Sequence, residues 1–212
     1  MSNNKRIAKN TMFLYFRMFI IMGVTLYTSR IVLDKLGVDD FGLYNVVGGV
    51  VGLLAFINGT ISAGTSRFLT FELGKEDVKK LSLTFNTAFY THLVIGIIIV
   101  VALETGGLWF LLNKLVIPPN RLQAALIVYQ ISIFTSLVNL TQVPYTSLIM
   151  AHEEMQIYAY VSIFEAFGKL GVAYLISIAT FDKLITYSLL LCLVQFSIAM
   201  AYRIYCIKNF KE

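Results

Sequence analysis

The first apolar stretch, residues 11–33, constrains the fold more than any other segment of the chain. Its 23 residues can cross a membrane as a helix, because a span needs about 20 apolar residues rising about 1.5 Å each. Arg17 lies inside this stretch and Arg30 lies near its far end. A charge at mid-bilayer costs about 2.5–3.5 kcal/mol, and such residues usually face a bundle interior or a watery cavity. The stretch therefore predicts a membrane protein of several helices with a polar interior.

The composition of the whole chain favours the same class. Of the 212 residues, 58% are hydrophobic and only 14% are charged, whereas soluble domains carry about 25% charged residues. The mean hydropathy is +0.75, which is typical of membrane proteins. Although the net charge is +5, the basic residues are spread over loops and form no dense patch, so a nucleic-acid partner is not expected.

Six apolar segments can be drawn along the chain, and they predict an all-α integral membrane protein with six transmembrane helices in a single unit. Because the connecting loops are short, neighbouring helices are expected to be antiparallel. The segments cover residues 11–33, 41–65, 84–103, 122–150, 157–180 and 184–207.

Loop charges predict the orientation of this bundle. With the N-terminus in the cytoplasm, ten Lys and Arg residues fall on the cytoplasmic side and four on the opposite side. Cytoplasmic loops of membrane proteins carry the excess of Lys and Arg. We therefore expect both the N-terminus and the C-terminus to be cytoplasmic, which suits an even number of spans.

Charged and amide side chains inside the spans are the candidate functional residues. Arg17 has two open interpretations, since its side chain either snorkels to the cytoplasmic headgroups or faces a cavity. Glu165 and Lys169 are four residues apart in the order that favours an ion pair on one helix face. This pair is either structural or takes part in headgroup binding or proton coupling. Asn139 belongs to a polar face of the fourth segment, together with Tyr129, Ser132 and Ser136.

Two further features concern helix packing. Gly48 and Gly52 form a small-xxx-small pair that lets two helices approach closely. Packing within the chain and a dimer seam are both open interpretations of this pair. Pro144 is predicted to interrupt the fourth segment near its cytoplasmic end, where freed backbone groups would need polar partners or water.

The sequence lacks the motifs of an enzyme. His152 and Glu153 resemble the start of a zinc-protease motif, but the second histidine is missing. His92 stands alone in the third segment, where packing is the expected role. No nucleotide-binding glycine loop, catalytic triad or Cys/His cluster occurs, so neither an enzyme nor a bound metal or cofactor is expected. Helices with a polar lining and embedded charges are typical of a transporter.

Five stretches, in chain order, resemble a known membrane family. The chain is similar to bacterial polysaccharide biosynthesis membrane proteins, the O-antigen or lipid-linked oligosaccharide flippase branch of the multidrug/oligosaccharidyl-lipid/polysaccharide exporter superfamily. The stretches are LGVDDFGLYNVVGG (36–49), TSRFLTFELGK (65–75), GLWFLLNKLVIPPNR (107–121), VPYTSLIMAHEEM (143–155) and SIFEAFGKL (162–170).

This resemblance implies a MATE-like fold of two six-helix lobes that face a central cationic cavity. It implies that undecaprenyl-pyrophosphate-linked oligosaccharide is moved from the cytoplasmic to the periplasmic leaflet of the bacterial inner membrane, during lipopolysaccharide O-antigen synthesis. The resemblance covers the N-terminal lobe only, so the second lobe is expected to be absent from this chain. We expect either a truncated N-terminal half or two copies that pair.

Within the resemblance, Arg17 matches a cavity arginine that attracts the pyrophosphate, and Arg30 has the same expected role near the periplasmic mouth. Two alternatives stay open. One is a drug or cation antiporter of the same superfamily, in which Glu165 takes protons or sodium. The other is a membrane subunit that transports nothing and only packs against partners. The expected partners are lipid-linked oligosaccharide, membrane lipids and a second lobe.

Overall fold

The computed structural model describes residues 3–75 and 77–210, with side chains throughout except at 3–10, 54–58 and 60. Every regular element within these ranges is helical, which confirms the all-α prediction. The helices are α1 (Asn3–Leu36), α2 (Val38–Leu73), α3 (Val78–Ala102), α4 (Leu108–Asn113), α5 (Leu122–Ala151), α6 (Met155–Leu175) and α7 (Lys183–Asn209).

Five stretches of the described chain are helical, long and apolar enough to cross a membrane. The length and composition of these stretches indicate a membrane protein. The helix α2 has 36 residues but is not one of the five, so the sixth predicted span stays a prediction. The five stretches are Thr11–Leu36, Val78–Asn113, Pro119–Ala151, Met155–Ile178 and Lys183–Asn209.

The helix α5 lies at the centre of the bundle. It packs against α2, α3, α6 and α7, whereas α1 packs mainly against α6. The buried residues of α1 within the described side chains are Thr28, Val32 and Leu36, all in its last third. The earlier part of α1 therefore leaves much of its apolar surface uncovered by protein, as at Phe16, Phe19 and Met22.

The third helical segment is longer than predicted, because a π-helical turn joins α3 to α4 without a break. This turn covers Leu103–Gly107, and the carbonyl oxygen of Leu103 accepts the N–H of Leu108. The hydroxyl of Tyr129 also donates to this oxygen at 2.7 Å. The predicted end near residue 103 is therefore wrong, since the helix absorbs one extra residue and continues to Asn113.

The predicted interruption at Pro144 is also wrong. The helix α5 runs unbroken from Leu122 to Ala151, and Pro144 is buried within it. Side-chain hydroxyls reinforce the backbone nearby: Thr141 donates to the carbonyl of Val138 at 3.0 Å, and Thr146 donates to that of Val143 at 2.9 Å. Such bonds and contacts from neighbouring helices let a membrane helix tolerate an internal proline.

One end of the bundle is held by a cluster that we call the Arg121 clasp, formed by Arg121, Asp40 and Asp182. The Nε atom of Arg121 donates to Asp40 Oδ1 at 2.8 Å, and its two other nitrogens donate to Asp40 Oδ2 and Asp182 Oδ2. Asp182 also caps α7 by accepting the N–H groups of Leu184 and Ile185. The clasp therefore joins the starts of α2, α5 and α7 at one end.

The opposite end is held by contacts between the α5–α6 turn and the end of α7. The hydroxyl of Tyr205 donates to Glu154, and the ring of His152 stacks on Phe210 with centroids 4.0 Å apart. The start of α3 is also at this end, where Asp77 accepts the N–H of Lys80 at 3.2 Å. This bond lowers the pKa of Asp77. The two ends together show that successive long helices alternate in direction.

Candidate functional site

A polar cavity of about 360 Å³ lies between α1, α5, α6 and α7, and we call it the Arg17 cavity. It brings together three of the five predicted site residues, namely Arg17, Glu165 and Lys169. Neutral polar side chains complete most of its wall: Thr25, Gln142, Thr146, Tyr158, Ser162 and Tyr202.

The guanidinium of Arg17 faces this cavity without a carboxylate partner among the described residues. Its Cζ atom lies 4.4 Å from the centre of the Tyr158 ring, at a distance typical of a cation–π contact. Its Nε atom is buried and makes no hydrogen bond. An unpaired buried donor is costly, because it has given up water without gaining a partner. Arg17 therefore brings to the cavity a positive charge that has no carboxylate partner among the described residues.

Glu165 and Lys169 form the predicted ion pair. The Nζ atom of Lys169 donates to Glu165 Oε1 at 2.6 Å, and both residues line the Arg17 cavity. The cavity is lined by two cations and one carboxylate. Because the Glu165–Lys169 pair is neutral as a unit, the remaining positive charge is that of Arg17. The contact is the one that the spacing of four residues predicted, whereas the role of the pair stays a prediction.

A second partly buried cation lies beside this cavity. Arg203, which the loop-charge analysis placed on the cytoplasmic side, lies within α7 and donates to Thr141 Oγ1 at 2.9 Å. Its Cζ atom is 5.6 Å from the centre of the Tyr145 ring, and its Nε atom is buried without a hydrogen bond. Sequence reasoning missed this inward contact because Arg203 is close to the helix end, where a cation also suits the loop interpretation.

The other two predicted site residues lie elsewhere. Asn139 lines a second cavity of about 240 Å³ between α2, α5 and α7, which we call the Asn139 cavity. Arg30 is exposed on α1 and lines neither cavity. The predicted set is therefore divided between a charged cavity, an uncharged cavity and the outer surface of α1.

The glycine pair of α2 opens onto the Asn139 cavity. Gly48 and Gly52 line it, and no other heavy atom lies within 4 Å of a Cβ added at either position. Close packing of α2 against another helix of the chain therefore does not require glycine at these two positions. The dimer seam stays a prediction. The lack of side chains at these glycines instead leaves room in the cavity.

The described residues contain no group of three or more His, Cys, Asp and Glu side chains placed to hold a metal ion. His92 is buried, and its Nδ1 atom lies 2.8 Å from the carbonyl oxygen of Ala88. This contact fits the packing role predicted for a lone histidine. The arrangement around Arg17 can bind an anion by charge and hydrogen bonds, with neutral polar groups nearby for the remainder of a ligand.

Comparisons with known proteins leave the family open. No protein-family model, curated protein sequence or solved structure was found to match this chain. The resemblance to the flippase family therefore rests on the five sequence stretches alone.

Proposed function

We propose that this chain is one lobe of a membrane transporter that moves undecaprenyl-pyrophosphate-linked oligosaccharide from the cytoplasmic to the periplasmic leaflet of a bacterial inner membrane. The observation that carries the proposal is the guanidinium of Arg17, which lies in a cavity between helices without a carboxylate partner among the described residues. Ionisable residues inside membrane segments commonly mark a substrate path. A guanidinium presents a planar fork of donors that matches phosphate oxygens.

The position of Arg17 along the bundle supports the direction of transport. Arg17 contacts Tyr158, which lies in the first turn of α6, near the α5–α6 turn. The loop charges assign this end to the cytoplasm, where a lipid-linked precursor is synthesised and must be captured. Both the orientation with cytoplasmic termini and the six-span MATE-like arrangement are parts of this proposal.

A second lobe is needed for the transport cycle. Alternating access moves one helical unit against another around a central site. The exposed apolar side chains of α1, among them Phe19, Met22 and Leu26, offer an uncovered surface for contact with such a unit. We propose that this unit is either a second half encoded with this chain or a second copy of the chain.

A cation or drug antiporter is the second candidate function, because Glu165 supplies a carboxylate inside the cavity. Proton or sodium coupling would use the negative charge of this carboxylate. The ammonium of Lys169 lies 2.6 Å away and neutralises that charge, so an incoming cation has to displace it. This competition favours the anion-binding proposal over the antiporter.

Arg17 can be tested by binding measurements on the full chain in lipid nanodiscs. The probe is undecaprenyl pyrophosphate, and native mass spectrometry gives its dissociation constant for the wild type, Arg17→Lys and Arg17→Gln. Loss of a charge-assisted hydrogen bond costs about 1.5–3 kcal/mol, so Arg17→Gln should weaken binding by about 10- to 150-fold. Arg17→Lys should retain part of the affinity, because the charge remains and the fork is lost.

Arg30→Gln is the matched control, since it removes the same charge from an exposed position on the same helix. It should leave the dissociation constant unchanged if the cavity is the site. Equal weakening by Arg17→Gln and Arg30→Gln would show general attraction to a cationic surface and would contradict the proposal. Undiminished binding by Arg17→Gln would remove Arg17 from the substrate path.

A further inference from the structure

The Asn139 cavity holds polar groups for which the chain itself provides no partner. The amide of Asn139 and the hydroxyl of Ser136 make no hydrogen bond with any described residue. The hydroxyl of Tyr44, which also lines the cavity, is likewise without a hydrogen bond among these residues. Within a membrane bundle, such groups need water or a polar ligand, because lipid offers no hydrogen bonds.

The lining of this cavity selects for an uncharged ligand. Among the described residues, its lining contains no Lys, Arg, Asp, Glu or His, whereas α5 supplies hydroxyl groups and the Asn139 amide and α7 supplies the Ser188 hydroxyl. On the α2 side, Tyr44 and Val51 contribute side chains, whereas Gly48 and Gly52 contribute only backbone and leave open space beside them. The volume of about 240 Å³ is several times the roughly 30 Å³ that one water occupies in the liquid. The cavity therefore has room for a ligand larger than a few waters, with hydrogen-bonding groups but no charge.

The Asn139 cavity and the Arg17 cavity share two helices, α5 and α7. On α5, Asn139 lines the Asn139 cavity and Gln142 lines the Arg17 cavity. Residues three apart lie on one face of a helix. The rise between these two positions is about 4.5 Å along α5. On α7, Gln195 donates to Gln142 at 3.2 Å, and Ser188 lies two turns before it in the Asn139 cavity. The two cavities thus form a charged and an uncharged compartment, one after the other.

We infer that the Asn139 cavity binds a neutral sugar unit of the substrate while its pyrophosphate lies at Arg17. This inference rests on the proposed function and adds a sugar subsite to it. A sugar hydroxyl both donates and accepts hydrogen bonds, as do the Asn139 amide and the Ser136 hydroxyl. In a lipid-linked saccharide the first sugar is bonded directly to the pyrophosphate, so the two subsites must lie close together. The two cavities approach each other at Asn139 and Gln142, which are one turn apart on α5.

The test compares two probes on the full chain in nanodiscs: undecaprenyl pyrophosphate and the same lipid carrying one hexose. The wild type should bind the hexose-bearing lipid more tightly than the bare lipid. Asn139→Leu and Ser136→Ala should each reduce this preference by about 2- to 10-fold, as expected for loss of neutral hydrogen bonds. Both variants should bind the bare lipid like the wild type. Ser197→Ala is the control, because Ser197 is an exposed serine of α7 that lines neither cavity.

The outcomes separate this inference from the proposed function. The sugar subsite is overturned if Asn139→Leu weakens the binding of both lipids equally, or if the wild type binds both lipids with equal affinity. Neither result bears on pyrophosphate binding by Arg17. Unchanged binding of both lipids by Arg17→Gln overturns the proposed function, and the sugar subsite fails with it. Thermal unfolding of each variant in the same nanodiscs shows whether it is folded. If Asn139→Leu unfolds, Ser136→Ala decides, because it removes one hydroxyl and adds no volume.

Discussion

Breaking the Arg121 clasp should destabilise the bundle more than breaking any exposed ion pair. In Arg121→Gln, Asp40 loses two hydrogen bonds and its countercharge, while its side chain remains only 9% exposed. Asp182 loses one bond at 30% exposure, but it keeps the N–H groups of Leu184 and Ile185. The main cost therefore comes from Asp40.

The magnitude follows from these exposures. Removing one partner of a buried ion pair costs about 3–5 kcal/mol, and the lower limit applies here because Arg121 is itself 30% exposed and partly screened. The solvated contact with Asp182 adds at most about 1 kcal/mol. We expect a total of about 3 kcal/mol. For a chain of this length that corresponds to a decrease in melting temperature of about 6–12 °C.

The assay is thermal unfolding of the purified chain in detergent, followed by circular dichroism. Asp40→Asn with Arg121→Gln should cost less than the sum of the two single changes, because no unpaired charge is left at that site. Lys35→Gln is the control, since it removes a cation from the exposed pair with Asp34, and it should cost less than about 1 kcal/mol. If the two changes at Arg121 and Asp40 add simply, or if Arg121→Gln matches the control, the reasoning is refuted.

Three other changes test local parts of the structure. Gly107→Ala should lower stability in the same thermal assay by about 1–3 kcal/mol, because the new Cβ would lie 2.2 Å from the Tyr129 hydroxyl. Gly106→Ala is the control and should leave stability unchanged, because there is open space around Gly106. Alanine at either Glu165 or Lys169 should lower folded yield, and the double change should be milder than the sum; additivity would contradict the pair. Reporter fusions at the α2–α3 junction should be cytoplasmic, and a periplasmic signal there would reverse the predicted topology.

The sequence alone was sufficient for properties that depend on composition and on neighbours along one helix. The membrane class follows from apolar runs such as residues 11–33, because the length of a span depends only on the rise per residue and the thickness of the bilayer. The Glu165–Lys169 contact follows from a spacing of four residues on one helix. Neither property depends on which helices become neighbours.

Tertiary structure decided the properties that depend on helix neighbours. The Arg121 clasp joins Arg121 to Asp40 across 81 positions, and the π-helical turn is held by Tyr129 from 26 positions away. Likewise, Arg17 meets Glu165 at one cavity, whereas Asn139 faces another, because α1 packs on α6 and α2 packs on α5. Periodicity shows which face of a helix is polar, but not which helix covers that face. The division of the candidate residues between two cavities therefore follows from helix packing.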